Sequence, residues 1–160
     1  MKECEEIINV LEQFETDEIL FADSVAQKET LWSLRRKVGE AVKAQSTYKE
    51  EDTVVPRYAL PRLLNKVKSV GQEYGFKSVC YGHAGDGNLH VNIIKGDLTD
   101  HQWENELPKA IRELFAEVVK LGGTISGEHG IGLVQKPYMD IAFPDITLNI
   151  MRDLLYFSLA

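Results

Sequence analysis

Two histidines flank a glycine-rich segment that has the spacing of a β-hairpin. Residues 81–92 read YGHAGDGNLHVN and contain His83 and His90. Asp-Gly is a favoured centre for a two-residue type I′ turn, and a turn centred on Asp86 and Gly87 places His83 directly opposite His90. Two imidazoles whose Cβ atoms are about 5 Å apart can bind one divalent metal. The alternative is a pair of exposed surface histidines.

Side-chain alternation assigns the rest of this hairpin to two faces. Tyr81 and Asn92 fall on the face of the two histidines, whereas Leu89, Val91 and Ile93 fall on the opposite, core-facing side. The sequence therefore predicts a polar face that carries two imidazoles, an amide and a phenol.

A second glycine-rich segment could complete a metal site. Residues 122–132 read GGTISGEHGIG, with Glu128 next to His129. A carboxylate from this segment would give a His-His-Glu set with positions left open for a substrate, and histidine is the usual general acid or base near neutral pH. The alternative is a turn with solvated charges. The segment matches neither the dinucleotide-binding GxGxxG pattern nor the phosphate-binding GxxxxGK[ST] pattern.

Two basic side chains could recognise a carboxylate. Arg35 lies at the edge of the apolar stripe of a helix predicted for residues 25–44, and a guanidinium suits bidentate carboxylate binding. Lys49 lies in the charged run KEED at residues 49–52. For both residues the alternative is a solvated surface position.

Composition excludes several classes of protein. Lys and Arg number 18 against 25 Asp and Glu, a net charge of −7 that argues against a binder of nucleic acid or anionic membranes. The distant Cys4 and Cys80 form neither a disulfide framework nor a cysteine zinc finger. No apolar run reaches the roughly 18 residues of a membrane helix, and the N-terminus lacks signal-peptide features. We therefore expect a cytoplasmic protein.

The elements that position these residues follow from hydrophobic periodicity. Helices are predicted at residues 3–14, 25–44, 57–74, 101–121 and 145–158, and strands at residues 18–22, 45–55, 77–83, 88–95 and 124–126. From residue 53 to 126 the order is strand, helix, strand, strand, helix, strand, which is the split-βαβ pattern. The sequence predicts one α+β, ferredoxin-like domain over residues 1–160, an antiparallel sheet with helices on one face.

Both glycine-rich segments resemble the C-terminal, substrate-cap domain of FAD-linked oxidases. This family includes D-lactate dehydrogenase, glycolate oxidase and D-2-hydroxyglutarate dehydrogenase. The resemblance rests on GHAGDGNLH at residues 82–90 and SGEHGIG at residues 126–132, supported by LWSLR at residues 31–35 and DTVVP at residues 52–56. It covers roughly residues 15–155.

The resemblance implies a cap docked over the isoalloxazine of FAD, and it implies roles for individual residues. A divalent metal, often zinc, is expected on His83, His90 and Glu128, with His129 as the acid–base residue. Substrate contacts are expected from Asn92 and from Arg35, which would bind the substrate carboxylate. A family lysine that binds substrate aligns with Glu50 when counted without gaps from Arg35, and Lys49 is one residue earlier.

We therefore expect the substrate- and metal-binding part of an FAD-dependent 2-hydroxy acid dehydrogenase, which passes hydride from the substrate Cα to the flavin. The family's FAD-binding domain is not among the 160 residues. The chain is expected to be a fragment that is inactive alone, with a flavin-binding domain or subunit as its partner. The alternatives are a non-catalytic interaction or homodimerisation module, a separate subunit of a split flavoenzyme, and an autonomous metal hydrolase.

Overall fold

The computed structural model describes residues 2–159, and the chain divides into two compact units between Ala41 and Val42. The first unit contains α1 (Lys2–Leu11) and most of α2 (Val25–Lys43). Ser24 caps α2, because its hydroxyl accepts a hydrogen bond of 3.3 Å from the backbone N–H of Gln27. The Gln27 side chain accepts the Ser24 N–H in return, which makes a capping box.

The strand predicted at residues 18–22 is wrong. The segment between α1 and α2 is irregular, and none of the strands formed by residues 2–159 pairs with it. Its apolar residues have β propensity, but a strand also needs a neighbour that satisfies its backbone groups.

The second unit contains a three-stranded antiparallel sheet in the order β1-β3-β2. The strands are β1 (Tyr48–Val54), β2 (Lys77–His83) and β3 (Asn88–Ile94). The helices are α3 (Leu60–Tyr74), α4 (Leu107–Lys120), α5 (Met139–Ala142) and α6 (Asp145–Leu159), with a π-helical turn at Gln102–Glu106. Because α3 connects β1 to β2 on opposite sides of β3, the split-βαβ order and the α+β class are confirmed. Within residues 2–159, every helix is too short or too polar to span a membrane.

The strand predicted at residues 124–126 is reduced to a single bridge. Thr124 pairs antiparallel with Val54 at the edge of β1 through hydrogen bonds of 2.9 and 3.1 Å. The pairing does not continue, because the N–H of Ser126 donates to Thr124 Oγ1 and the N–H groups of residues 127–129 donate to the side chain of Asp52 instead of to the β1 backbone.

The hydrophobic core of this unit lies between one face of the sheet and the helices α3 and α4. Leu89, Val91 and Ile93 of β3 are at most 7% exposed and face this core, as the alternation predicted. The helices contribute Leu63, Val67, Val70, Ile111, Leu114, Phe115 and Val118. This packing leaves the other face of the sheet to polar side chains.

The β2–β3 hairpin has a different register from the one predicted. The Cα partner of His90 is Tyr81, and His83 pairs with Asn88. The direct His83–His90 pairing is therefore wrong by two residues. Because side chains alternate with a period of two, the shift leaves both histidines on the predicted face.

The loop of this hairpin explains the shift. A type I′ turn requires a positive φ at both central residues. Among the described residues only glycines have a positive φ, so Asp86 does not adopt that conformation. The chain instead forms a 3₁₀ turn over Ala84–Asp86 and reverses at Gly87, which has a φ of 74°. A Cβ on Gly87 would overlap the carbonyl oxygen of Val55, so glycine is required there.

One acidic residue, Glu51, points from β1 into the core side of the sheet. Its side chain is 2% exposed and accepts a hydrogen bond of 3.3 Å from Gln135 Nε2. Burial raises the pKa of Glu51 to about 7, although the Gln135 hydrogen bond and the charge of Lys49 oppose the shift.

Glu51 should make the free energy of unfolding fall as the pH rises from 4.5 to about 7. In that interval the folded chain keeps a proton that the unfolded chain releases, so rising pH favours unfolding by up to about 3 kcal/mol. The Glu51→Gln variant should flatten this part of the curve. Urea unfolding at a series of pH values measures it, with exposed Glu73→Gln as the matched control. Unchanged pH dependence in Glu51→Gln would contradict the assignment.

Candidate metal centre

His90 lies at the centre of the polar face of the sheet. It belongs to the central strand and is 6% exposed. Three aromatic rings surround it, with centroid distances of 5.7 Å to Tyr81, 6.2 Å to His83 and 5.2 Å to His129. Tyr81 and His83 come from β2, whereas His129 comes from the distant glycine-rich segment. The structure thus brings together all three histidines that the sequence singled out.

Two carboxylates of β1 approach the same imidazole. Glu50 Oε1 lies 3.3 Å from His90 Nδ1, and Asp52 Oδ1 lies 4.0 Å from it. Both acids share one face of β1 because they are two residues apart. Neither acid was assigned a chemical role from the sequence, although two acids at this spacing in a strand are the signal that could have found them.

Asp52 holds the glycine-rich segment against the sheet. Its Oδ2 accepts hydrogen bonds from the backbone N–H groups of Gly127 (2.9 Å), Glu128 (2.6 Å) and His129 (2.9 Å). Its Oδ1 accepts a hydrogen bond of 2.7 Å from Asn88 Nδ2. Three consecutive N–H groups directed at one oxygen form an anion-binding nest. This contact positions the side chains of Glu128 and His129 beside His90.

The same contact keeps Asp52 ionised although its side chain is 1% exposed. Burial is the largest influence and opposes ionisation. The hydrogen bonds from the His129 and Glu128 amides and from Asn88, with the nearby His129 ring, together outweigh it, so the pKa of Asp52 lies below its usual range.

Gly127 permits the close approach that this nest needs. A Cβ at position 127 would overlap Asn88 Nδ2 and would lie 2.7 Å from both Asp52 Oδ1 and Val54 Cγ2. A side chain here would therefore push the segment away from β1. The sequence identified the segment as glycine-rich but could not identify the surface that the glycine approaches.

His83, His90 and Glu128 form a set that fits a divalent cation. One ligand atom from each lies within 4.8 Å of the other two, and His83 Nε2 is 3.5 Å from Glu128 Oε1. Zinc bonds of about 2.0–2.1 Å in a tetrahedron separate two ligand atoms by about 3.3 Å. Small side-chain rotations would therefore bring these three donors onto one ion.

Asn92 belongs to the same face and has an unusual environment. It is completely buried, and neither its Nδ2 nor its Oδ1 has a hydrogen-bond partner among the described residues. Buried amides are normally satisfied, so Asn92 is an exception among the buried polar groups of this face.

The two predicted carboxylate-binding cations each have an aromatic neighbour. Lys49 points to the core side of β1, where its Nζ is 5.0 Å from the ring centroid of Trp103. Arg35 belongs to the first unit, and its guanidinium lies 5.6 Å from the ring centroid of Trp32. Their roles in substrate binding stay predictions.

The fold and this cluster define a class of domain: a split-βαβ sheet whose polar face carries histidines and carboxylates. Comparison with known proteins identifies the family. The profile of FAD linked oxidases, C-terminal domain, matches residues 1–154, and the chain belongs to this family.

Three curated relatives illustrate the similarity. D-lactate dehydrogenase of Anaerostipes hadrus is 32% identical over 136 residues, which are 84% of this chain and 29% of that protein. D-2-hydroxyglutarate dehydrogenase of Xanthomonas citri pv. viticola is 35% identical over 132 residues, 81% of this chain and 28% of that protein. Glycolate oxidase subunit GlcD of Bacillus subtilis is 30% identical over 140 residues, 88% of this chain and 28% of that protein. The chain thus spans less than a third of these relatives' length.

Replacing Asp52 by Asn should release the segment at residues 127–129. The amide has one acceptor oxygen in place of a charged carboxylate, so we expect a loss of about 2–4 kcal/mol in stability, the value of one or two charge-assisted hydrogen bonds. Hydrogen exchange at the Gly127, Glu128 and His129 amides should accelerate. Exposed Asp97→Asn is the matched control. If the three amides kept their exchange rates in Asp52→Asn, the nest would not be what holds them.

Proposed function

We propose that this chain is the substrate- and metal-binding part of an FAD-dependent 2-hydroxy acid dehydrogenase. The observation that carries the proposal is the His83, His90 and Glu128 cluster within a domain of the FAD-linked oxidase family. The names of two relatives, D-lactate dehydrogenase and D-2-hydroxyglutarate dehydrogenase, support 2-hydroxy acids as the substrate class.

In this proposal the two imidazoles and the Glu128 carboxylate hold the cation. Two nitrogens and one oxygen suit zinc, and three protein ligands leave a position for substrate, as in catalytic zinc sites. When bound, such a cation supplies Lewis acidity that favours loss of the proton from an alcohol oxygen.

His129 accepts the substrate hydroxyl proton. Its backbone is fixed by Asp52, its ring lies 5.2 Å from that of His90, and its side chain is 52% exposed. A base at this point is firmly positioned while its ring reaches a ligand at the surface. Asn92 offers a hydrogen bond to substrate, which would satisfy one of its unpartnered atoms.

FAD, bound by a flavin-binding domain or subunit, supplies the hydride acceptor for the substrate Cα. The contribution of this chain is orientation and electrostatics, which can lower a barrier by several kcal/mol when the reacting atoms are held in contact. We also propose a cytoplasmic location, because two distant cysteines without a disulfide framework are typical of a reducing compartment.

Zinc binding tests the metal set directly. We expect the His83→Ala/His90→Ala double variant to lose at least about 100-fold in zinc affinity, more than the removal of an outer-shell partner causes. Competition with a chromophoric chelator measures it, and exposed His101→Ala is the matched control. Unchanged zinc affinity in the double variant would refute the metal role.

Substrate binding tests the acid class. The zinc-loaded chain should bind D-lactate at least about 10-fold more tightly than propionate, because propionate lacks the hydroxyl that the site recognises. D-2-hydroxyglutarate against glutarate gives the same comparison for a longer acid, and titration calorimetry measures both. Equal binding of the hydroxy acids and their deoxy analogues would argue against the proposal, even if zinc binds as expected.

A further inference from the structure

A second group of ligand atoms adjoins the first on the polar face of the sheet. One ligand atom each of Glu50, His90 and His129 lies within 4.8 Å of the other two. Glu50 comes from β1, His90 from β3 and His129 from the segment held by Asp52. This set shares only His90 with the metal-ligand set of the proposed function, which also contains His83 and Glu128.

The distance between Glu50 and His90 suits a shared ion better than a direct contact. Glu50 Oε1 is 3.3 Å from His90 Nδ1, yet Nδ1 has no hydrogen-bond partner among the described residues because the carboxylate lies outside the direction of the ring N–H. Two ligand atoms on one tetrahedral zinc are also about 3.3 Å apart. The buried nitrogen therefore has an unused lone-pair position beside a carboxylate oxygen.

Asn92 provides an independent observation. It is the Cα partner of Glu50 across the sheet and lies on the same face as His90. Both of its polar side-chain atoms are buried without a hydrogen-bond partner among the described residues. Such atoms are costly unless something binds them, and an amide can hydrogen-bond to a group that coordinates a neighbouring cation.

The two oxygens of Glu50 have different neighbours. Lys43 is the positive group nearest to Glu50 in the described ion pairs, with its Nζ 3.2 Å from Glu50 Oε2. That contact uses Oε2 and leaves Oε1 directed at His90. Asp52 Oδ1 lies 4.0 Å from the same imidazole and adds negative charge.

We propose that Glu50, His90 and His129 form a second position for a divalent transition metal such as zinc. The position overlaps the first set at His90 and shares both His90 and His129 with the residues of the proposed function, but it does not require that function to be correct. An ion there engages one nitrogen of His129, the imidazole to which the proposed function assigns proton transfer. Metal in excess would thereby reach the acid–base residue itself.

Binding of Co²⁺ to the 160-residue chain tests this position. The His83→Ala/Glu128→Gln variant lacks the first position but keeps the second, and the Glu128 substitution leaves its backbone N–H on Asp52. We expect this variant to retain Co²⁺ binding, with visible absorption bands, and to lose about 10-fold or more in affinity when Glu50→Gln is added. Exposed Glu73→Gln in the same background is the matched control.

The outcomes separate this proposal from the proposed function. If wild type binds Co²⁺ and His83→Ala/Glu128→Gln does not, the second position is refuted and the first stands. If added Glu50→Gln has no effect, the second position is also refuted. If wild type binds no Co²⁺, both fail. If circular dichroism shows that a variant is misfolded, anomalous diffraction from zinc-soaked wild-type crystals provides the test instead. An anomalous peak between Glu50 and His90 would support the second position, and its absence would refute it.

Discussion

One buried carboxylate oxygen, Oδ2 of Asp52, accepts three consecutive backbone N–H groups, and the polar face of the sheet depends on this contact. Among the described residues, the nearest backbone pairing of the segment at residues 127–129 with β1 is the bridge between Thr124 and Val54. A side chain that is 1% exposed tolerates a negative charge only when fixed dipoles compensate it, and here the amides do so. The nest therefore stabilises an otherwise unfavourable charge and fixes Glu128 and His129 in one step.

The sequence predicted the faces of the hairpin better than its register. Leu89, Val91 and Ile93 are buried as predicted, because an alternating pattern allows only one face to meet the core. The His83–His90 pairing depended on a turn type, and the turn depended on whether Asp86 adopts a positive φ. Because the predicted register differs from the observed one by two residues, His83 and His90 still lie on the same face of the sheet. An error of one residue would have separated them.

Long-range contacts were the part that the sequence could not supply. Asp52 and Gly127 are 75 residues apart, and nothing local to either residue shows that they meet. Glu50 was noticed only as the residue that aligns with a family lysine, whereas its distance from His90 depends on the strand order. Gly75, by contrast, was predictable as the end of α3, because a left-handed residue after a helix is a local requirement.

The three carboxylates near His90 differ in what compensates their charge, and that difference assigns them different chemistry. Asp52 uses both oxygens in hydrogen bonds to amides, so it is a structural anion despite its place beside the imidazole. Glu50 has one oxygen paired with Lys43 and one directed at His90. Glu128 is 52% exposed and has His83 as its ion-pair neighbour, at 3.5 Å. A histidine offsets the charge of a carboxylate only when its imidazole is protonated, whereas the amides around Asp52 carry fixed dipoles. Asp52 thus builds the frame of the polar face, whereas Glu128 and Glu50 each keep one carboxylate oxygen directed at a histidine.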